Sequence, residues 1–544
     1  MVVQRVAVIG AGPSGLTSVK ACLDEGLEPM CFESSHDIGG LWRYKEKPEP
    51  GRANVYQSVV INSSKEMMAF SDFPPLPELP NNMHHTEVLK YLRLYAHKFN
   101  LLPYIYFQTT VTSVTQAADF TGTGRWIVET ETVDSQRATH VFDAVLVCTG
   151  HFSVPHLPLK DFPGIESFPG RYFHSWDYCN PTGLEDKTVV VIGFGNSGSD
   201  LAVDISRVAN RVYLSTRTGA WVTCRVGPKG IPADIAWITR TGALMQKLFP
   251  SWSNRMFEKK MNEMYDHQLY GLKPKHSFLA QIPVVNDNLA SQIISGRVRM
   301  KPNIKEFRES NVIFTDGSIV DVVVFATGYK HSFPFLQLRS AYMLHLYRNV
   351  FPAALSPPTL AVVGFISGAG SINPAAELQA RWATRIFKGL VSLPKQEDMM
   401  KAIEKEPGMH YRFSGSGHNS LQVDFIPYMD SLAHEIGVHP NVLTLCLKDP
   451  ILALEVFTGP CTSYQYRLTG PGRWSGSRNA ILTQMDRVRE PFRTRMVPGP
   501  ETSSLSQQNL HQIQRADIEL KTLLYSGKSC ELLHLPLKTP KYTK

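Results

Sequence analysis

The chain has no CxxC pair, no run of about 18 apolar residues and no long basic stretch interleaved with aromatics. Each absence removes a class. Its eight cysteines (Cys22, Cys31, Cys148, Cys179, Cys224, Cys446, Cys461, Cys530) are scattered, several inside apolar strand-like runs. That speaks against a disulfide scaffold, a zinc site or a redox-active disulfide, and for buried thiols in a reducing compartment. Without a long apolar run no spanning helix is expected, and the opening MVVQRVAVIGAG enters a strand with no cleavable signal. Nucleic acid is not an expected partner. The low hydrophobicity of disordered chains is missing too: 43% hydrophobic against 19% charged residues suits a large packed core. At 544 residues, two or three units are expected. The net charge of +8 is what ordinary scatter of Lys and Arg gives; it also favours anionic cofactors or an anionic membrane surface.

Residues 5–9 read RVAVI, then GAGPSG runs from Gly10 to Gly15, then LTSVKACLDEG. This is strand, tight turn, helix. Gly10 permits the turn, Gly12 lets the backbone approach a pyrophosphate, and Gly15 lets the helix pack on the strand. The pyrophosphate would cap the helix starting near Pro13. The next strand, EPMCFE, ends in Glu33, where a carboxylate accepts hydrogen bonds from ribose hydroxyls. An acid there disfavours a 2′-phosphate, so the ligand is FAD or NAD. Gly39 and Gly40 offer a second close approach, followed by Leu41 and the flat surface of Trp42. Further on, VFDAVLVCTGHFSVP is a buried strand entering a Thr-Gly turn.

A second strand and glycine turn follow in KTVVVIGFGNSGSD, with Gly193, Gly195, Asn196, Ser197 and Gly198. Here the ribose position carries Thr216 and Arg217 in place of a carboxylate. A guanidinium meets a 2′-phosphate with paired, charge-assisted hydrogen bonds, which selects NADPH. A third strand, DVVVFATGY, is expected to return the chain to the first domain.

With FPGRYFHSWDY (FxGxxxHxxxY) between the turns, and with FATGY, NSSKEMMAFSDFP, ELQARWATRIFKG and GPGRWSGSRNAILTQ, the chain resembles the flavin-containing monooxygenases of vertebrate type, the dimethylaniline N-oxide-forming enzymes, over roughly residues 4–495. The resemblance implies an α/β fold of two Rossmann-type domains, the NADPH domain inserted into the FAD domain. It implies an FAD segment at 1–155, an NADPH domain at 156–330 with a helical insertion near 231–270, a second FAD segment at 331–445, a C-terminal family region at 446–496, and a linker with a polar tail at 497–544. In that family NADPH reduces the flavin, O₂ adds to give a C4a-hydroperoxide, and a soft nitrogen or sulfur of a small molecule takes the distal oxygen. The cofactors carry the hard chemistry, which accounts for the lack of a nucleophile–base pair. Asn62 matches the family asparagine beside the flavin and is the one candidate catalytic residue. Gly170 would give a turn, and His174 and Tyr178 would brace the nucleotide groove. No metal is expected.

Two departures stand out. Where many relatives carry Gln, the segment GFISGAGSINP has Ser367, which points to leakage of hydrogen peroxide. Relatives end in an apolar anchor, whereas this sequence ends polar and basic; the family location at the cytosolic face of the endoplasmic reticulum membrane therefore competes with a cytosolic one. The apolar and basic stretch IAWITRTGALMQKLFPSW fits either membrane contact or core packing. Self-association is left open. The competing activities are an NADPH oxidase, a Baeyer–Villiger-type oxygenase and a flavin-binding protein with little turnover.

Overall fold

Two runs of unbroken apolar residues decide the architecture, since a strand buried on both faces needs no polar alternation. The computed structural model describes residues 3–308, 312–314, 319–338, 345–368, 370–405 and 421–494. Nearly all of these lie in one unit, Met1–Pro491, and the expected linker and tail at 497–544 lie outside the described residues.

The chain starts with β1 (Arg5–Ile9), α1 (Pro13–Asp24), β2 (Glu28–Phe32), β3 (Ile105–Tyr106) and β4 (Ala144–Val147). It continues with β5 (Arg171–His174), β6 (Thr188–Ile192), α2 (Asn196–Ile205), β7 (Arg211–Ser215) and β8 (Val222–Thr223). Three helices follow: α3 (Ala233–Trp237), α4 (Arg240–Leu248) and α5 (Pro250–Met264). Then come β9 (Val284–Val285), β10 (Val298–Lys301), β11 (Val322–Phe325) and β12 (Leu360–Val362). The last elements used below are β13 (Ser367–Gly368), α6 (Ile372–Phe387), β14 (Gln422–Val423), α7 (Phe425–Ile436), α8 (Val442–Lys448) and α9 (Pro450–Thr458).

Two parallel five-stranded sheets result, in the orders β12-β4-β1-β2-β3 and β10-β7-β6-β11-β5. The first takes strands from both sides of the second in sequence, so one dinucleotide-binding domain is inserted in the other. The strand in DVVVF is an inner strand of the second sheet (Val189 beside Val322). The return is made just after it, where Tyr329–Lys330 pairs antiparallel with Val154–Pro155.

Period-two alternation sorts each strand between two cores. Val6 and Val8 of β1 pack with α1 and α6, while Ala7 and Ile9 meet Trp126, Val128 and Phe142 of an antiparallel three-stranded meander. In β6, Val189 and Val191 face Leu201, Ala202 and Ile205, while Val190 and Ile192 face Phe307, Phe314 and Phe325. Full burial of such a side chain contributes about 1.5–3 kcal/mol, so both faces of each sheet are secured.

The FxGxxxHxxxY segment braces the join. His174 donates from Nε2 to the Gly328 carbonyl (2.9 Å) and accepts at Nδ1 from the Trp176 N–H (3.0 Å). Burial lowers its pKa to about 4, which keeps it neutral and suits this tautomer. The Tyr178 hydroxyl donates to Asp204 (2.8 Å). Gly170 serves close approach and not a left-handed turn: a Cβ there would stand 2.3 Å from the Asp321 carbonyl oxygen.

Within 231–270, the first part packs on the C-terminal elements, while Phe257 and Met261 of α5 pack on Trp221 and Phe278 of the second domain. Asp234 accepts from the Ser64 N–H (2.6 Å), and Arg240 grips Asp430 of α7 through two bonds (2.7 and 2.9 Å). Helix α4 lies on α9 and α7.

Candidate active site

Both glycine turns open where their sheets bring strand ends together. In the first, Gly10 has φ +98°, and a Cβ on Gly15 would stand 1.8 Å from the Gly10 carbonyl oxygen. Gly12 caps α1 with no side-chain bond, so the first N–H groups are left for an anion. Gly39 (φ +111°) and Gly40 (φ +53°) bend the chain back until a Cβ on Gly40 would lie 3.0 Å from Gly12 Cα. The buried Glu33 accepts from the Ala11 N–H (2.9 Å) and from the Ser35 N–H and hydroxyl (2.9 and 2.7 Å), with Arg52 at 3.2 Å. Its first task is therefore to lock the turn, and it also lines the cavity.

The second turn repeats this geometry. Gly193 has φ +110°, and a Cβ on Gly198 would stand 2.0 Å from the Gly193 carbonyl oxygen. Gly195 caps α2 without a side-chain bond, and a Cβ there would meet nothing within 4 Å. Asn196 and Ser197 are exposed at the helix start, and Asn196 Oδ1 accepts from the Val285 N–H (2.8 Å). Ile192 sits beside Ser215 in register, so Thr216 and Arg217 emerge beside this turn. Thr216 Oγ1 accepts from the Gly219 N–H (3.1 Å). Arg217 is exposed and makes no hydrogen bond or ion pair with the described residues.

One cavity of about 1540 Å³ joins the two halves. Its wall includes Gly10, Gly12, Glu33, Gly40, Leu41 and Trp42 from the first domain, Asn62, and Asn196 and Arg225 from the second. Gly15, Gly193, Gly195, Ser197, Gly198, Thr216 and Arg217 are not on that wall. Gly15 and Gly198 are packed behind their turns, while Gly195, Ser197 and Arg217 stand at the surface.

Asn62 lies on the wall with Oδ1 accepting from Arg225 Nη2 (2.7 Å), and its backbone carbonyl accepts from Asn82 Nδ2 (3.2 Å). Asp234 lies far in the chain from Asn62 and no motif marks it, yet it shares the wall. The protein around it pushes its carboxyl up to about 6, against the Ser64 N–H pulling the other way. Further along, burial favours protonation of Asp430, but His439 and Arg240 outweigh it and hold the carboxyl near 2. Neither Arg225 nor the Arg240–Asp430 pair sits in a motif; their partners are 163 and 190 residues away, and no local signal marks them.

The wall fits nucleotide cofactors. His151 Nδ1, Thr223 Oγ1 and Trp237 Nε1 are buried, belong to lining residues, and have no hydrogen-bond partner among the described residues. Together with two uncapped helix starts and glycine cradles that a Cβ would fill, they leave unmet donors and acceptors for a bound group.

Fold and site thus define a two-nucleotide oxidoreductase with both dinucleotide-binding domains in one chain. A family model described as flavin-binding monooxygenase-like matches residues 3–525. The chain belongs to this family and is a flavoprotein monooxygenase. It is 53% identical over 505 residues to flavin-containing monooxygenase 5 of Rattus norvegicus, covering 91% of this chain and 95% of the relative. It is 48% identical over 512 residues to dimethylaniline monooxygenase [N-oxide-forming] 2 of Pan troglodytes, covering 92% and 96%. Among solved structures, S-allyl-L-cysteine S-oxygenase from Allium sativum aligns with TM-score 0.60 at 24% identity, over 90% of this chain and 98% of that one. Cyclohexanone monooxygenase from Rhodococcus sp. Phi1 bound to NADP⁺ aligns with TM-score 0.58 at 17% identity, over 80% and 98%, and shares the fold.

Proposed function

We propose that this enzyme uses NADPH and O₂ to place one oxygen atom on a soft nucleophilic nitrogen or sulfur of small molecules, the second oxygen leaving as water. The observation that carries this reading is the single cavity running from the first glycine turn, past Asn62, to Asn196 at the second. Relatives named for N-oxide formation support the substrate class. FAD belongs on the Gly10–Gly15 turn, with Glu33 toward its ribose and Gly40, Leu41 and Trp42 along it. NADPH belongs on the Gly193–Gly198 turn. When bound, the flavin takes hydride from the nicotinamide and activates O₂. The chain's own part is to hold both groups, to offer a donor from Asn62 Nδ2 at the cavity wall, and to keep water out with apolar neighbours such as Ile61 and Trp237.

Replacement of Asn62 by alanine is expected to keep FAD and its reduction by NADPH, and to lower oxygenated product per NADPH roughly tenfold or more, the worth of one hydrogen bond to developing charge. Substrate turnover and NADPH consumption measured together check it; an unchanged ratio removes Asn62 from the site. Ser367 lies on the same wall with only a short hydroxyl, which favours some hydrogen peroxide release in the parent enzyme, read in the same assay.

Thr216 and Arg217 bind the 2′-phosphate of NADPH in this reading, supported by their place beside the turn and by Arg217's lack of a partner among the described residues. Arg217→Ala should weaken NADPH binding by about 10-fold or more, equivalent to 1.5–3 kcal/mol for a charged hydrogen bond. FAD content should not change. Equal NADPH affinity in the variant, by titration of the oxidised protein, refutes the assignment.

The enzyme also rests on a membrane, through an apolar face on α8, α9 and the α4–α5 corner. Leu443 and Leu447 are 80% and 89% exposed, Ile451, Leu454, Leu248, Phe249 and Trp252 are exposed as well, and α4 packs against α9. Such a contiguous apolar face marks a contact surface. No helix of the described residues is long and apolar enough to cross a bilayer. Changing Leu443, Leu447 and Ile451 to serine is expected to abolish co-flotation with phosphatidylcholine–phosphatidylserine vesicles while activity on a soluble substrate stays; retained flotation defeats this part. A place on the cytosolic face of the endoplasmic reticulum follows from the family resemblance.

A further inference from the structure

We infer that Arg225 is a positioning residue that decides which end of the Asn62 amide faces the cavity; this rests on the role proposed for Asn62. Arg225 follows β8 in the second domain, and Asn62 belongs to the first. The guanidinium donates from Nη2 to Asn62 Oδ1 (2.7 Å) and to the Val60 carbonyl (3.2 Å), and from Nε to the Ile61 carbonyl (3.4 Å). Its far side is held by Asp287, which takes Nη1 at Oδ2 and the Arg225 N–H at Oδ1, both at 2.7 Å. A guanidinium has donors and no acceptor. Only the amide oxygen can therefore face it, and Nδ2 is left with no hydrogen-bond partner among the described residues. Without Arg225 the two ends of the amide are nearly equal in shape, and nothing described would choose between them.

The same strand pair reaches the second glycine turn. Thr223 of β8 lies beside Val285 of β9, whose N–H donates to Asn196 Oδ1 (2.8 Å), and Asn286 Nδ2 donates to Asp200 Oδ1 of α2 (2.7 Å). The direction of the Asn62 amide is thus set by the domain that holds the nicotinamide nucleotide. A donor is offered at the wall only while the two domains are in this arrangement.

The test uses the FAD-loaded enzyme with Arg225→Met, Asn62→Asp and the double variant, beside Asn62→Ala. Asn62→Asp keeps an oxygen against Arg225 but replaces the cavity-facing donor by an acceptor. We expect retained FAD, an undiminished melting temperature, and product per NADPH as low as in Asn62→Ala. Arg225→Met frees the amide and should lower product per NADPH several-fold, with partial recovery in Arg225→Lys. A readout apart from turnover is the melting temperature of the double variant, which should lie below the sum of the two single changes because a half-buried carboxylate then loses its guanidinium partner. Full product per NADPH in Asn62→Asp, or melting temperatures that simply add, overturns the inference. If Asn62→Ala loses product while Arg225→Met and Asn62→Asp do not, only this inference falls. If Asn62→Ala itself keeps full product, the proposed site falls and takes the inference with it.

Discussion

Valine at position 15 is expected to give a colourless protein that cannot be reconstituted with FAD. A Cβ at Gly15 would stand 1.8 Å from the Gly10 carbonyl oxygen and 2.9 Å from its carbon. These are backbone atoms, so no rotamer change relieves the overlap. Nor can α1 back away: its residues from Gly15 to Cys22 are buried, and it packs along α6 on the other side. The cost must exceed the roughly 1–3 kcal/mol typical of an added methylene in a packed core. The turn would open, and the N–H groups of the α1 start would no longer converge on one anion. Gly195→Ala is the matched control. Its Cβ meets nothing within 4 Å and its φ of −110° suits any residue, so fold and FAD should survive. Only NADPH, whose pyrophosphate the proposed function puts at this turn, should bind less well. Flavin absorbance after gel filtration and NADPH titration read the two arms. A yellow, NADPH-reducible Gly15→Val protein would show that the first turn is not where FAD is held.

The second large effect is on stability. Glu377→Ala should lower the melting temperature by about 3–5 °C, from a loss of about 3–5 kcal/mol when one partner of a buried ion pair is removed. Glu377 of α6 accepts from the Ser71 N–H (2.7 Å) and from Arg467 Nη2 (2.8 Å), and Arg467 also reaches Asp72 (3.1 Å). Glu377 and Arg467 are 2% and 4% exposed, so water cannot replace the lost partner. Arg381 adds to the cost. Burial, then the neighbouring Arg467, already lower its pKa to about 9, with Glu377 opposing them. Removing Glu377 leaves two buried guanidinium groups with Asp72 as their remaining close carboxylate. The wall of the site moves with this cluster, because Ile372 and Asn373 at the start of α6 line the cavity. Arg137→Ala is the contrast: its pair with Glu131 is exposed at 82% and 32%, and such a pair contributes about 0–1 kcal/mol. Unfolding of a chain this size is read as a scan midpoint at one fixed rate. Equal shifts in the two variants would mean that Glu377 has been misjudged. Glu377→Leu combined with Arg467→Met should recover part of the loss, since a buried pair replaced by apolar groups is often neutral or better.

What could be read from the chain alone was local. VAVI and VVVI are buried strand segments because nothing in them is polar, and each glycine turn must close where a strand meets a helix start. Gly15 and Gly198 could be placed because their role depends on residues five positions away. The places of Glu33 and Arg217, each just past the end of a second strand, follow from strand length and register; the ribose roles given to them are part of the proposed function. The chain does bend at Gly170, but what demands glycine there is a close approach to Asp321, far along the chain and out of reach of local reading.

The tertiary structure alone decided what the cavity wall offers. Arg225 meets Asn62 across 163 residues, Glu377 meets Ser71 across 306, and the segment 239–248 lies on elements near 430 and 460. A side chain's hydrogen-bond partner at such range leaves no period or spacing in the sequence. It is set by how two sheets and the helices between them pack, and that packing turns an ordinary arginine after a two-residue strand into the group that orients Asn62.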